Sequence, residues 1–410
     1  MNMIDVHKQR SSTSFLCSMS MFLLALYPIL CWYEIPFPIT LGTTLILAVA
    51  VVGVAVSGLR GMRMLPLTFY VLMVYVMVMW SYRRGMTVKS LLPPGGMSFF
   101  IFLVSLFGCV ALFDLQALRR YMGIVAAVSV PLFLIQFVVL HTTGEAFCLV
   151  PNLTGKFSYE DMTYAEVVKL HVSKDTPSSI FLEKSYMAYY LVTYLCLRFF
   201  SPDVRDKLMS PVNIILVLTL LLLRSGSGVL GFSVLFAVKV IQMLLSGSNK
   251  KRMHVLIFLI PLLVGASYVY LRSEIGMAMY ERTSELDTKE SSGYTRVVGG
   301  YVVYGMMPLQ EQLFGTSRNE IVIFSDDKSI SDDRFYVNGI QTILLTLGAV
   351  GFLLYLVFYG SVFRRGDMLV KMSIITLLLF SLLESDYLNP YHLLLTVIPC
   401  ATSYLLREKS

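Results

Sequence analysis

The sequence predicts an all-α, polytopic helical membrane protein with about twelve transmembrane helices. Apolar residues make up 56% of the chain and charged residues 14%, with a mean hydropathy of +0.71. A soluble domain carries roughly 25% charged residues, so this chain cannot cover a solvated surface of its size. Its apolar runs are long enough to cross ~30 Å of hydrocarbon as helices, and they are continuous, unlike the alternating segments of a membrane β-barrel.

The predicted spans follow one another through short polar segments. They lie at 14–33, 36–57, 64–81, 97–113, 121–141, 180–200, 211–223, 226–246, 253–272, 338–360, 368–384 and 387–405. The first follows Lys8 and Arg10, is long for a signal peptide and has no small-x-small cleavage site after it, so we interpret it as an uncleaved span. Five of the six cysteines fall inside spans, with Cys148 outside them, so no disulfide framework is expected.

The basic residues indicate the orientation of the chain. With the amino terminus in the cytoplasm, every inside segment carries at least two basic residues, as the insertion bias requires. The same bias accounts for the net charge of +7 without nucleic-acid binding. One segment, 82–96, breaks the rule, because Arg83, Arg84 and Lys89 fall outside. Either the neighbouring spans are misplaced or these cations have a function.

Two outer segments are long, and the whole chain, 1–410, is interpreted as one integral membrane domain. The first outer loop covers 142–179, and the large one, between the ninth and tenth spans, covers 273–337. Loops of this length are generally functional or disordered. The apolar stretch 297–307 within the large loop is too short to span, so we expect a helix on the membrane surface or a re-entrant one between spans.

No nucleotide-binding loop, dinucleotide fingerprint, nucleophile elbow or zinc ligand set is present in the sequence, so we expect no metal and no cofactor. Arg224 is the strongest candidate for chemistry, since it follows four leucines and precedes Ser225-Gly226-Ser227-Gly228. A guanidinium at the edge of hydrocarbon is costly without a partner. The small residues allow a tight turn, which makes an anion cradle. The alternative is an arginine without a ligand, whose aliphatic stem lies along apolar surface while its guanidinium reaches the polar interface.

Further candidates lie on the outer side. Arg296 begins the apolar stretch beside backbone N–H groups that an anionic ligand would share, or it is an ordinary solvated arginine. Arg318 is similar but weaker, and Arg282 is expected near headgroups or acids. Glu183 lies where an outer loop meets a span. Partial desolvation would suit it as a general base, unless Lys184 simply offsets its charge.

Four places in the sequence resemble a known family. They are Leu182-Glu183-Lys184-Ser185-Tyr186, then Arg224-Ser225-Gly226-Ser227-Gly228, then Gly293-Tyr294-Thr295-Arg296 with Leu313-Phe314-Gly315, and Asn338-Gly339 with Gly348-Ala349-Val350-Gly351. Together with the topology, they resemble the Wzy-type O-antigen and capsular polysaccharide polymerases. Lys184 replaces a proline of the family pattern, and Val337 stands where the related O-antigen ligases carry a histidine, which favours a polymerase.

The resemblance implies a multi-pass glycosyltransferase of the bacterial inner membrane with a periplasmic active site. It would transfer a growing undecaprenyl-pyrophosphate-linked glycan onto a lipid-linked repeat unit, among membrane lipids and with a chain-length regulator protein as a possible partner. The implied catalytic residues are Glu183, Arg296 and Arg224, and the implied substrate-binding residues are Arg318, Tyr294, Asn338 and Arg282.

The residues alone indicate only a site for an anionic amphiphile at the outer face. The alternatives are a lipid-linked oligosaccharide flippase or other secondary transporter, an O-antigen ligase, a peptidoglycan polymerase, and a scaffold without chemistry. The lack of an evident internal repeat weakens the transporter alternative.

Overall fold

The described residues form helices and one short pair of strands. The structure, a computed structural model, describes residues 3–35, 37–57, 64–84, 94–158, 161–173, 176–202, 208, 210–246, 298–316, 337–383 and 390–407. The elements in chain order are α1 (Met3–Leu30), β1 (Glu34–Ile35), β2 (Phe37–Thr40), α2 (Leu41–Ser57), α3 (Leu67–Arg84), α4 (Pro94–Ala111), α5 (Leu115–Thr143), α6 (Tyr164–Val172), α7 (Lys184–Phe200), α8 (Pro211–Leu222), α9 (Gly226–Ser246), α10 (Gly300–Met306), α11 (Leu309–Phe314), α12 (Gly339–Arg365), α13 (Met368–Leu383) and α14 (Pro390–Arg407).

The predicted all-α class is confirmed, while the number of spans stays a prediction. Within the described residues, α5, α9 and α12 are long and apolar enough to cross a membrane. Shorter apolar helices lie at Phe15–Leu30, Leu41–Val56, Leu67–Met79, Pro211–Leu222 and Met368–Leu383. The predicted span 253–272 lies outside the described residues.

Two predicted helix starts are wrong. The second span was expected from residue 36, but Phe37–Thr40 is a strand that pairs with Glu34–Ile35, and α2 begins only at Leu41. The sixth span was expected from residue 180, but α7 begins at Lys184. In both places apolar residues lie outside the helix, because apolarity alone does not distinguish a strand or a buried turn from a helix.

Polar caps explain several helix ends. The Asp114 side chain accepts hydrogen bonds from Gln116 N and Ala117 N at 2.9 and 3.1 Å and begins α5, and Gly144, at φ 74°, ends it. Thr163 and Glu166 form a reciprocal capping box at the start of α6. These local signals fix the helix ends where hydropathy changes only gradually.

The chain divides into two compact units. The first contains Met1–Ser225, Gly351–Leu378 and Leu388–Ser410, and the second contains Gly226–Val350 and Leu379–Tyr387. In the first unit, α7 is central, since Tyr186–Leu197, Phe199 and Phe200 are all buried. A Cβ added at Gly108 of α4 would lie 2.0 Å from the Cα of Ala50 on α2, so glycine permits this close packing of two apolar helices.

Side-chain contacts in the first unit join helix ends that the sequence assigns to the same side of the membrane. At the ends that the sequence assigns to the outside, the contacts are Tyr33 Oη to Pro151 O (2.8 Å) and Tyr391 Oη to Tyr186 O (2.6 Å). At the opposite ends they are Ser18 Oγ to Tyr121 Oη (2.6 Å), Thr68 Oγ1 to Ser361 Oγ (2.9 Å) and Arg198 Nε to Asn213 Oδ1 (2.6 Å). Each contact joins positions that the alternation of basic segments assigns to one side.

Candidate functional site

Arg224 lies in the turn after a helix that is short for a membrane span. Helix α8 has 12 residues and is therefore about 18 Å long, whereas the hydrocarbon core is about 30 Å thick. Leu223 caps the helix, with its N–H donating to Thr219 O at 2.9 Å. If α8 begins at the inner boundary of the hydrocarbon, as the sequence predicts, Arg224 lies below the outer headgroups.

The backbone of Arg224 is strained. Its φ is 49°, in the left-handed region, and only Asp161 and Ser179 share this property among the non-glycine residues that the structure describes. This conformation costs roughly 1–2 kcal/mol for a residue with a Cβ, and helices usually place glycine there. The guanidinium has no hydrogen bond or ion pair among the described residues. The turn thus holds a partly exposed cation at an energetic cost.

Glu183 occupies the N-cap position of α7 without capping it. Its backbone is extended, at φ −138° and ψ 152°, and its side chain accepts no hydrogen bond from the N–H groups of the first turn. Ser185 Oγ donates to Glu183 Oε2 at 3.2 Å. A carboxylate at this position normally stabilises a helix by accepting from those N–H groups. Its carboxylate therefore does not have the usual structural role of an N-cap residue.

The segment before Glu183 is fixed to α5 by buried hydrogen bonds. Ser179 N donates to Gln136 Oε1 at 2.8 Å, and Ser179 Oγ donates to the Ser129 carbonyl at 2.8 Å. Gln136 Nε2 donates to the Phe147 carbonyl at 2.7 Å. Ser129, Gln136 and Ser179 are buried, so breaking either bond of Ser179 would leave a desolvated polar atom. Ser129 and Gln136 were not among the predicted site residues, although their polarity inside an apolar span was a signal for them.

Helix α6 fixes the same segment from the other side. His171 is buried, with Nδ1 3.0 Å from the Val167 carbonyl and Nε2 2.9 Å from Ser178 Oγ. Ser178 Oγ donates to the Phe181 carbonyl at 2.7 Å. The first predicted outer loop is therefore packed against the start of α7, and the backbone that leads to Glu183 is preorganised.

Asn338 is a helix cap. Its Oδ1 accepts from Gln341 N at 2.8 Å, while Gln341 Oε1 accepts from Asn338 N at 3.3 Å, which forms a reciprocal capping box at the start of α12. Both side chains are buried. This structural role accounts for the asparagine without a ligand. Its substrate-binding role stays a prediction that no contact in the structure requires.

The apolar stretch of the large loop folds against α12. Val303 and Met307 pack with Val337 and Leu345 in a buried cluster. Tyr304 Oη donates to the Gln312 carbonyl at 2.8 Å and ties α10 to α11. Helix α10 lies within this stretch and packs against α12, while the expected position of the stretch at the membrane stays a prediction.

Two segments that carry the family resemblance meet at a pair of glycines. Helix α12 is interrupted at Gly348, with φ 68° and ψ −178°. A Cβ added there would lie 2.4 Å from Gly315 N, and one added at Gly315 would lie 2.4 Å from Thr346 O. Thr316 N donates to Leu345 O at 2.8 Å across the interruption. The predicted span 338–360 is therefore not one continuous helix, because another segment of backbone crosses it.

The remaining predicted site residues cannot be placed. Arg296, Tyr294, Arg282 and Arg318 lie outside the described residues. The expected convergence of Arg224 and Arg296 therefore stays a prediction. Glu311 of α11 was not among the predicted site residues, but its Oε2 is buried and has no hydrogen-bond partner among the described residues.

Within the described residues, no three His, Cys, Asp or Glu side chains are grouped as a metal site would need. No protein-family model matches the chain, and no curated protein matches it either.

Proposed function

We propose that the protein is a polysaccharide polymerase of the inner membrane, with its active site facing the periplasm. It transfers a growing undecaprenyl-pyrophosphate-linked glycan onto a lipid-linked repeat unit. The observation that carries the proposal is Arg224, a cation held in a strained turn after a short apolar helix, without a partner among the described residues. A bound lipid pyrophosphate would supply the countercharge that this cation lacks among the described residues.

The chemistry assigns separate roles to the arginine and the glutamate. The acceptor hydroxyl oxygen attacks the anomeric carbon of the donor, and the bond from that carbon to the pyrophosphate oxygen breaks. Undecaprenyl pyrophosphate leaves with the bonding electrons, and Arg224 stabilises the developing charge through bidentate hydrogen bonds. Glu183 accepts the proton of the acceptor hydroxyl. Arg296 is the expected second cation, with Arg318, Tyr294, Asn338 and Arg282 as the expected substrate contacts.

A transporter is the main alternative, and the interruption of α12 is the feature that favours it. Discontinuous helices in transporters expose backbone carbonyls that coordinate ions. Here the Leu345 carbonyl already accepts a hydrogen bond from Thr316 N, and Gly315 packs against Gly348. The interruption is filled by the protein's own backbone, so it supports the transporter less than its sequence position suggests.

A ligase is supported still less. The related ligases carry a histidine at the position of Val337, and here this side chain lies in the apolar cluster with Val303, Met307 and Leu345. A titratable base would be desolvated in that place.

The test is polymerisation by the purified protein in liposomes that contain undecaprenyl-pyrophosphate-linked repeat units. We expect a ladder of lipid-linked polymers from the wild type and little from Arg224→Ala. Movement of intact repeat units across the bilayer without chain growth would identify a flippase instead. Restored glycan on the lipid A core in a ligase-null strain would identify a ligase.

A further inference from the structure

An aromatic stack lies at the start of α7, one turn from Glu183. The rings of Trp32 and Tyr186 are parallel to within 14°, with centroids 4.6 Å apart. Tyr391, at the start of α14, lies on Tyr186 with a centroid distance of 6.5 Å and an interplanar angle of 28°. Tyr186 is 7% exposed, whereas Trp32 keeps a larger part of its surface open.

The backbone of Trp32 is held by the first outer loop. Its carbonyl accepts hydrogen bonds from Ser158 N at 2.9 Å and from Ser158 Oγ at 3.3 Å. The next residue, Tyr33, donates its hydroxyl to Pro151 O and packs on Phe157 with a centroid distance of 5.0 Å. These contacts fix the backbone of the turn after α1, and the stack on Tyr186 restrains the indole, so little conformational entropy remains to be lost when a ligand binds Trp32.

The stack and the carboxylate both belong to the start of α7. Glu183 is the N-cap residue, and Tyr186 lies three positions later. The stacked rings therefore lie at the first turn of the helix that Glu183 precedes, which is the part of the first unit where the proposed base is located.

We propose that Trp32 is a sugar-binding residue, whose indole packs against the apolar face of a pyranose ring of the acceptor repeat unit. The C–H bonds on that face carry partial positive charge, and the π face of an indole carries partial negative charge, so the two attract while both lose apolar contact with water. The sugar held there presents its hydroxyl to Glu183. This inference rests on the proposed polymerase function. Within the proposed active site, it assigns recognition of the glycan to Trp32, whereas the arginines bind the lipid pyrophosphate.

Fluorescence tests the contact directly, because Trp32 and Trp80 are the only tryptophans. In Trp80→Phe protein, only Trp32 emits in the indole range. Titration of this protein in nanodiscs with undecaprenyl-pyrophosphate-linked repeat unit is expected to change the emission of Trp32. Undecaprenyl pyrophosphate without sugar should leave it unchanged. The matched control, Trp32→Phe, keeps Trp80 and should respond to neither lipid. Equal responses of Trp80→Phe protein to both lipids, or no response to the glycan-bearing one, would overturn the inference.

Kinetics separate this inference from the proposed function. Loss of one stacking contact, in Trp32→Leu, should raise the KM for the acceptor about three- to tenfold, with a smaller change in kcat, while Trp32→Phe recovers part of the affinity. If the wild type forms no polymer, the proposed function fails. If the wild type polymerises and Trp32→Leu has an unchanged KM, only the role of Trp32 is refuted.

Discussion

The Arg224→Gly variant distinguishes a functional role of Arg224 from a structural one. The left-handed backbone at φ 49° costs an arginine roughly 1–2 kcal/mol, and glycine adopts it freely. Glycine also gives the unfolded chain more freedom, which lowers stability by about 0.4–1 kcal/mol. The two effects nearly cancel, so we expect the free energy of unfolding of Arg224→Gly to stay equal to the wild type or rise by about 1 kcal/mol.

Activity should respond in the opposite way. A charge-assisted contact to the leaving pyrophosphate is worth on the order of 2–4 kcal/mol of barrier, or roughly 30- to 1000-fold in rate. Arg224→Gly should therefore be as stable as the wild type and nearly inactive. Arg224→Lys keeps the charge but loses the bidentate geometry, so it should recover only part of the rate.

The assay pairs two measurements on the same preparations. Initial rates of polymer formation are measured in liposomes at matched protein amounts, and apparent unfolding temperatures are measured in detergent. Near-normal polymer from Arg224→Gly would refute the role in pyrophosphate binding. Loss of activity together with a large fall in unfolding temperature would show that Arg224 is a structural anchor, which also contradicts the reasoning.

Three further predictions follow from single positions. Gly348→Ala should lower the unfolding temperature, since its Cβ would lie 2.4 Å from Gly315 N and its φ is positive. The control, Gly360→Ala, has open space around it and should be neutral or slightly stabilising. Equal effects of the two substitutions would contradict the backbone crossing at Gly348. Glu183→Gln should abolish polymerisation and keep most of the stability, because no cap hydrogen bond is lost and the glutamine oxygen can still accept from Ser185; retained polymerisation would exclude Glu183 as the base. Hydrogen bonds from Thr163 lower the pKa of Glu166. The wild type should therefore exceed Glu166→Ala in unfolding temperature by a constant amount above the ordinary glutamate pKa, about 4.3, and this difference should shrink as the pH falls through the lowered pKa. A difference that does not depend on pH would contradict this prediction.

The positions of most helices were predictable because the bilayer makes hydropathy decisive. An apolar run that must satisfy its own backbone in hydrocarbon becomes a helix, whatever its neighbours are. Short-range polar signals add the boundaries, as Asp114 does for α5. The cap at α12 was equally readable, since an asparagine followed three residues later by Gln341 is a capping-box pattern. Asn338 was assigned to substrate because the resemblance was given more weight than this local pattern.

The features that the sequence did not predict are long-range. The interruption of α12 depends on a glycine pair separated by 33 residues, and the segment before Glu183 depends on Gln136, 43 residues from Ser179. Such pairings leave no periodic signal in either partner. The pairing of Glu34–Ile35 with Phe37–Thr40 was missed for a similar reason, because the neighbouring contacts, Tyr33 with Phe157 and Glu34 N with Lys156 O, are made to a loop more than a hundred residues away.

Ser179 and Arg224 both have a left-handed backbone, but the fold compensates the strain at the two residues differently. Ser179 shares the left-handed backbone, at φ 57°, but the fold compensates its cost, since its N–H and its hydroxyl both donate to buried acceptors on α5. At Arg224 the described residues supply no such compensation: the backbone N–H reaches Leu221 O at only 3.3 Å, and the side chain has no described partner. The left-handed backbone makes the turn after α8, and glycine would make it without strain, so the choice of arginine at this position is consistent with a ligand for the side chain. A ligand for this cation would be anionic, and the pyrophosphate of a lipid-linked glycan is the one that the proposed function supplies.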